Sequence, residues 1–202
     1  MQKVELNIGS AYSPPILGVH QRIGRAYPTI LIALHWLTAL CMIVLLVCAA
    51  LHALGIGGKA TRSELLNLHR MAGTIILLLT GLRIFARVLR RHTIPPVASD
   101  WKGVVASAVH GALYFGLVAI PVLGWMLTNA IGKDVSVINV WVLPRLTGRD
   151  LDFADQIQQW HIALGWLLAA MVALHIAAAL WHRYIVRDDI WGAMLPQRDK
   201  NS

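Results

Sequence analysis

The sequence predicts an all-α fold, an integral membrane bundle of four helices. Of its 202 residues, 57 % are hydrophobic and only 14 % are charged, whereas a soluble domain carries about 25 % charged residues. The hydrophobic residues are gathered in four long runs, at 28–54, 65–89, 102–131 and 160–185. All ten acidic residues lie outside these runs, and we therefore expect lipid to surround each run.

Each run is long enough to cross a membrane, because a helix needs about 20 apolar residues to span a hydrocarbon layer of ~30 Å. We divide the chain into an N-terminal tail (1–27), a four-helix domain (28–185) and a C-terminal tail (186–202). The connections between helices fall near 55–64, 90–101 and 132–159. We expect no secretory signal peptide, since a mostly polar tail precedes the first run.

The basic residues are distributed unequally between the two sides of the predicted bundle. Twelve lie in the two tails and near the second connection, and six lie on the other side. Because positive charge stays cytoplasmic, we predict that both termini face the cytoplasm. The net charge of +8 thus reflects topology and does not indicate nucleic-acid binding, which would require a soluble basic face with aromatic residues.

Histidine is unusually frequent in the apolar runs. Seven of the nine histidines lie in or at the ends of the runs: His35, His52, His69, His110, His161, His175 and His182. An ionisable residue inside a bilayer is costly and is a functional candidate by default. A single such histidine is more often a neutral imidazole bonded to a backbone carbonyl, but seven in four helices indicate a binding function.

The spacing of the histidines predicts two separate sites. His161 and His175 are fourteen residues apart, which places them on one helix face and about 21 Å apart along the axis. His35 matches the depth of His175, and His69 matches the depth of His161. Two facing imidazole pairs suit axial ligation of two haems inside the bundle, whereas zinc requires a tetrahedral cluster of ligands. We therefore predict that these four histidines are the haem-iron ligands.

Two further residues share the helix face of His69. Gly73, at i+4, would let a flat macrocycle approach the backbone. Arg83, at i+14, would bind a haem propionate or a quinone head-group, or would only anchor the helix at the membrane surface. The remaining histidines are not predicted to be iron ligands, although two of them, His110 and His182, could line a quinone pocket. No C-x-x-C-H motif supports covalent haem attachment.

These residues together resemble the bacterial cytochrome b561 family, the small dihaem b-type cytochromes of the inner membrane. The resemblance covers about 25 to 195 and rests on these pieces: His35-Trp36; His69, Gly73, Arg83 and Arg87; His110 through Pro121-Val-Leu-Gly124; Trp160-His161; Leu174-His175; His182 and Tyr184. It implies two haem b groups, location in the bacterial inner membrane, and electron exchange with quinone, with ubiquinone as the acceptor.

Three functions are compatible with this pattern. The first is an enzyme that transfers electrons from a small periplasmic donor to membrane quinone; the resemblance implies superoxide as that donor. The second is an electron-transfer subunit docked to a larger dehydrogenase or hydrogenase complex. The third is a channel or transporter lined by histidines, which we rank last because no acidic residue lies within the runs and the histidines occupy two depths.

Basic residues on the predicted periplasmic side suggest how an anionic donor would be attracted. Arg70 directly follows His69, and Lys59 lies in the connection before it. Positive charge at a redox entrance speeds the encounter with a small anion. We therefore predict that Arg70 and Lys59 steer superoxide, the alternative being that they only solvate the connection.

Overall fold

The computed structural model describes residues 28–90, 92, 101–137 and 140–187. Its elements are α1 (Thr29–Ala53), α2 (Lys59–Leu89), α3 (Trp101–Ala130), a short hairpin of β1 (Ser136–Val137) and β2 (Trp141–Val142), and α4 (Leu151–Trp181), which continues into a π-helical turn (His182–Val186). All four long helices have the length and hydropathy needed to cross a membrane. The predicted four-helix membrane fold is therefore confirmed, while the N-terminal tail lies outside the described residues.

Two helices begin earlier than the apolar runs. α2 begins at Lys59 and not at 65, and α4 begins at Leu151 and not at 160. The start of α4 is fixed by Asp150, whose side chain accepts a hydrogen bond from the backbone N–H of Phe153 at 3.0 Å, a common N-cap. The prediction used apolar runs alone, so it did not include the polar first turns of α2 and α4.

The helices form two antiparallel pairs that are joined by contacts between α2 and α3. α1 packs along α2, α3 packs along α4, and α2 also packs against α3. Among the described residues, α4 has no comparable backbone packing against α1 or α2. We call the end where α1 and α3 begin the terminus end, and the end that carries β1 and β2 the hairpin end.

An apolar layer fills the centre of the bundle. It consists of one buried residue from each helix, Met42, Ile76, Leu113 and Leu168. Leu168 is seven residues from both His161 and His175, so the layer lies midway between the two predicted sites. Outside this layer most large apolar side chains are exposed, as expected for a bundle whose surface contacts lipid.

The connection between α3 and α4 is tied to the end of α3 by Asn129, which is 0 % exposed. Its Nδ2 donates to the carbonyl of Lys133, and its Oδ1 accepts from the N–H of Leu146, both at 3.0 Å. An exposed ion pair between Asp134 and Arg145, 2.7 Å apart, joins the two sides of the hairpin. The hydrogen bond and charge of Arg145 lower the pKa of Asp134 below its usual value.

Candidate functional site: two facing histidine pairs

The hairpin-end pair consists of His69 on α2 and His161 on α4. Their ring centres are 6.1 Å apart and their planes are inclined by 77°. Nδ1 of His69 lies 3.1 Å from the carbonyl oxygen of Leu45, and Nδ1 of His161 lies 3.1 Å from that of Ile120. Because a carbonyl only accepts, each Nδ1 carries the proton and each Nε2 keeps its lone pair. Both rings are therefore prepared to bind a metal through Nε2.

The terminus-end pair consists of His35 on α1 and His175 on α4. Their ring centres are 6.4 Å apart and their planes are inclined by 81°. The guanidinium nitrogen NH1 of Arg83 lies 3.0 Å from Nδ1 of His35. A guanidinium only donates, so Nδ1 is the acceptor in this arrangement. A ring that binds iron through Nε2 carries its proton on Nδ1, and Arg83 must therefore turn away when His35 is a ligand.

A third imidazole stands beside the terminus-end pair. The ring centres of His110 and His175 are 5.5 Å apart, and Nδ1 of His110 lies 2.6 Å from the carbonyl oxygen of Ala106. The side chain of His110 is exposed. The sequence suggested His110 as a quinone-pocket residue rather than an iron ligand, and that role stays a prediction.

The spacing of both pairs fits axial ligation of haem iron. A histidine nitrogen lies about 2 Å from a bound metal and the ring centre about 1 Å farther, so two imidazoles on opposite sides of one iron have centres about 6 Å apart. In each pair one imidazole comes from α4 and the other from α1 or α2, so both sites lie between α4 and the α1–α2 pair. Within the described ranges no three His, Cys, Asp or Glu side chains form a metal cluster.

Three buried polar atoms lack a hydrogen-bond partner within the described part of the chain: His52 Nδ1, Thr80 Oγ1 and Trp125 Nε1. Buried polar atoms are nearly always hydrogen-bonded, so these three atoms are exceptions among the described residues. Thr80 lies three residues before Arg83 on α2. The sequence offered no signal for Thr80 or Trp125, because their burial depends on the packing of neighbouring helices.

Comparison with known proteins assigns this chain to a family. A family model described as prokaryotic cytochrome b561 matches residues 26–197, which is most of the chain. The chain belongs to the prokaryotic cytochrome b561 family. This family transfers electrons within membranes and uses b-type haem, in agreement with the imidazole pairs.

Three relatives of this cytochrome have low sequence identity to it, but the matches cover most of both chains. "Probable superoxide oxidase CybB" of Yersinia pestis is 23 % identical over 177 residues, which are 86 % of this chain and 98 % of that protein. "Cytochrome b561 homolog 1" of Escherichia coli K12 is 28 % identical over 172 residues, 83 % of this chain and 95 % of that protein. "Cytochrome b561 homolog 2" of the same organism is 31 % identical over 133 residues, 64 % and 69 % respectively.

The structure also gives the burial and the neighbours of the other predicted site residues, Gly73, Arg70 and Lys59. Gly73 is buried, and a Cβ there would meet only Leu45 Cδ1 at 3.7 Å, an ordinary contact, so clearance for a haem stays a prediction. Arg70 is half-buried beside His69, with NH1 3.4 Å from Oδ1 of Asn67. Lys59, the first residue of α2, is exposed. Both basic residues lie at the hairpin end.

Proposed function

We propose that this protein binds two haem b groups and transfers electrons from superoxide to membrane quinone, with ubiquinone as the acceptor. His69 and His161 ligate the iron of one haem, and His35 and His175 ligate the other. The observation that carries the proposal is the pair of facing imidazole sets, each with ring centres close to 6 Å apart. The protein lies in the bacterial inner membrane with both termini cytoplasmic, so that the hairpin end faces the periplasm.

The apolar layer between the two sites favours electron transfer over ion transport. His161 and His175 lie fourteen residues apart on one continuous helix, so about 21 Å separates them along the axis. Met42, Ile76, Leu113 and Leu168 close the centre of the bundle, and a layer without polar groups is a high barrier to protons and metal ions. This arrangement argues against the histidine-lined channel.

The chain's own residues prepare the hairpin-end site for one-electron chemistry, which bound haem supplies. The carbonyls of Leu45 and Ile120 hold the rings of His69 and His161 in one orientation, and such bonds make imidazole a stronger ligand. Arg70 and Lys59 place positive charge at the same end, which attracts an anionic donor.

The overall reaction balances without any protein side chain being oxidised. Two superoxide anions give up one electron each and leave as O₂, and the quinone takes up both electrons with two protons to become the quinol. The protons are needed only where the quinone binds. The relative described as a probable superoxide oxidase supports superoxide as the donor.

The second candidate function is that of a cytochrome b subunit docked to a larger redox complex. The observation that favours it is the apolar tip of the hairpin, where Val140, Trp141 and Val142 are all exposed, Trp141 to 76 %. A protein partner at the hairpin end would cover this tip and supply electrons in place of superoxide.

Quinol formation by the purified protein separates these functions. Superoxide is generated enzymatically in the presence of a soluble ubiquinone analogue, with and without superoxide dismutase. We expect rapid haem reduction and quinol formation that dismutase abolishes, and we expect both to be strongly slowed in His161→Ala. If superoxide does not reduce the haem, while a reduced dehydrogenase or hydrogenase does, the docked subunit is the correct function.

A further inference from the structure

Gly124 on α3 lies directly against the imidazole of His161 on α4. A Cβ built at Gly124 would stand 3.0 Å from Cε1 and 3.4 Å from Nδ1 of His161. A contact of 3.0 Å is tighter than nine in ten of those that real Cβ atoms make. A side chain at residue 124 would therefore require the ring to shift by a few tenths of an ångström.

The ring of His161 contacts one turn of α3, from Ile120 to Gly124. Nδ1 of His161 donates to the carbonyl of Ile120 at 3.1 Å, and residues 120 and 124 are one helical turn apart. The hydroxyl of Thr128 donates to the carbonyl of Gly124 at 2.8 Å, which secures the backbone at this point. One turn of α3 thus fixes both the direction of Nδ1 and the distance of the ring from the helix.

A second glycine on α3 has the same clearance but a different neighbour. A Cβ at Gly116 would stand 3.0 Å from Cδ1 of Leu168, the end of a flexible side chain that can rotate away. The imidazole of His161 has no such freedom, because Nδ1 is bonded to Ile120 and, under the proposed function, Nε2 is bonded to iron. The same added methyl group therefore has different consequences at the two positions.

We propose that Gly124 is a positioning residue that sets the orientation of the His161 imidazole as a haem ligand. The inference rests on the proposed ligation by His161 and gives the third helix, which supplies no ligand, a role in the hairpin-end site. An alanine at 124 must push the ring aside by a few tenths of an ångström. It then strains either the bond from Nδ1 to Ile120 or the bond from Nε2 to iron.

The test compares Gly124→Ala with Gly116→Ala in the full-length, haem-loaded protein. The readouts are haem content and the electron paramagnetic resonance spectrum of the ferric protein, in which the relative orientation of two axial imidazoles determines the low-spin signal. We expect Gly124→Ala to shift or lose the signal of the His69–His161 haem and to leave that of the His35–His175 haem unchanged. We expect Gly116→Ala to retain both signals. An unaltered His69–His161 signal in Gly124→Ala overturns the proposal.

A double variant keeps the test decisive if Gly124→Ala folds poorly. His161→Ala removes the ring, so adding Gly124→Ala to it should change neither the yield nor the remaining haem signal. If the double variant is instead less stable than His161→Ala alone, Gly124 serves helix packing and the proposal is wrong. His161→Ala also tests the underlying ligation separately, because retention of both wild-type signals in that variant would refute the ligand assignment itself.

Discussion

The guanidinium of Arg83 lies 3.0 Å from Nδ1 of His35 and also 5.5 Å from the ring centre of Tyr114. The contact with His35 is incompatible with iron ligation of that ring through Nε2, whereas the position over Tyr114 is a favourable cation–π contact. We therefore expect Arg83 to move away from His35 in the haem-loaded protein while it stays near Tyr114. In that place its charge remains close to the terminus-end haem and available to a propionate or quinone oxygen.

Arg83→Leu should lower the reduction potential of the His35–His175 haem by roughly 50 to 100 mV, because a nearby positive charge stabilises the reduced, more negative centre. A spectroscopic redox titration of both haems measures this shift. Arg87→Leu, one turn farther along α2, is the matched control and should give a clearly smaller change. Equal shifts in both variants would mean that Arg83 is only a surface anchor.

Gly73→Leu should reduce binding of the His69–His161 haem, whereas Gly73→Ala should be tolerated. The Cβ of alanine meets only Leu45 at 3.7 Å, but the longer leucine side chain extends into the face that His69 shares. Gly81→Leu on the same helix is the control, since Gly81 is exposed and has nothing within 4 Å of its Cβ position. The measurement is haem content relative to helical content in each variant. Normal haem content in Gly73→Leu would show that Gly73 does not provide space for the haem.

Much of the candidate site could be predicted because it depends on positions along single helices. The fourteen-residue interval between His161 and His175 and the depths of His35 and His69 follow from helical geometry alone, and the structure brings these residues together in the expected pairs. The apolar runs located the four helices for the same reason.

What the sequence did not predict depends on contacts between distant parts of the chain. The sequence places Gly124 in the third helix but does not predict its contact with His161, which depends on how α3 is rotated against α4. The closeness of His110 to His175 has the same cause. Asn129 escaped notice because its two partners are backbone groups of a connection whose path is not encoded in a local pattern.

Neutralising Lys59 and Arg70 together, as Lys59→Gln with Arg70→Gln, should slow superoxide-driven haem reduction by roughly tenfold at low ionic strength. The effect should disappear at high salt, where such charges are screened. Arg87→Gln with Arg90→Gln removes the same charge from the opposite end of α2 and is the control. Stopped-flow rates over a salt series measure the effect, and identical rates in both double variants would mean that these residues do not steer the donor.

Asn129→Ala should destabilise the α3–α4 connection by about 1–3 kcal/mol, because it leaves the carbonyl of Lys133 and the N–H of Leu146 without their partner. We expect faster hydrogen exchange in residues 133–149 and little change in the spectrum of the His35–His175 haem. Asn67→Ala, at an exposed position on α2, is the control. Unchanged exchange in Asn129→Ala would show that the hairpin is held by other contacts.

We propose that four histidines on three helices hold two haems at two depths. Its most direct test is the ratio of haem to protein, measured as the pyridine haemochrome, in the wild type and in His161→Ala and His35→Ala. We expect two haems per chain in the wild type and one in each variant, with the remaining haem low-spin in both. A wild type that holds a single haem, or a variant that keeps two with unchanged low-spin spectra, would contradict it.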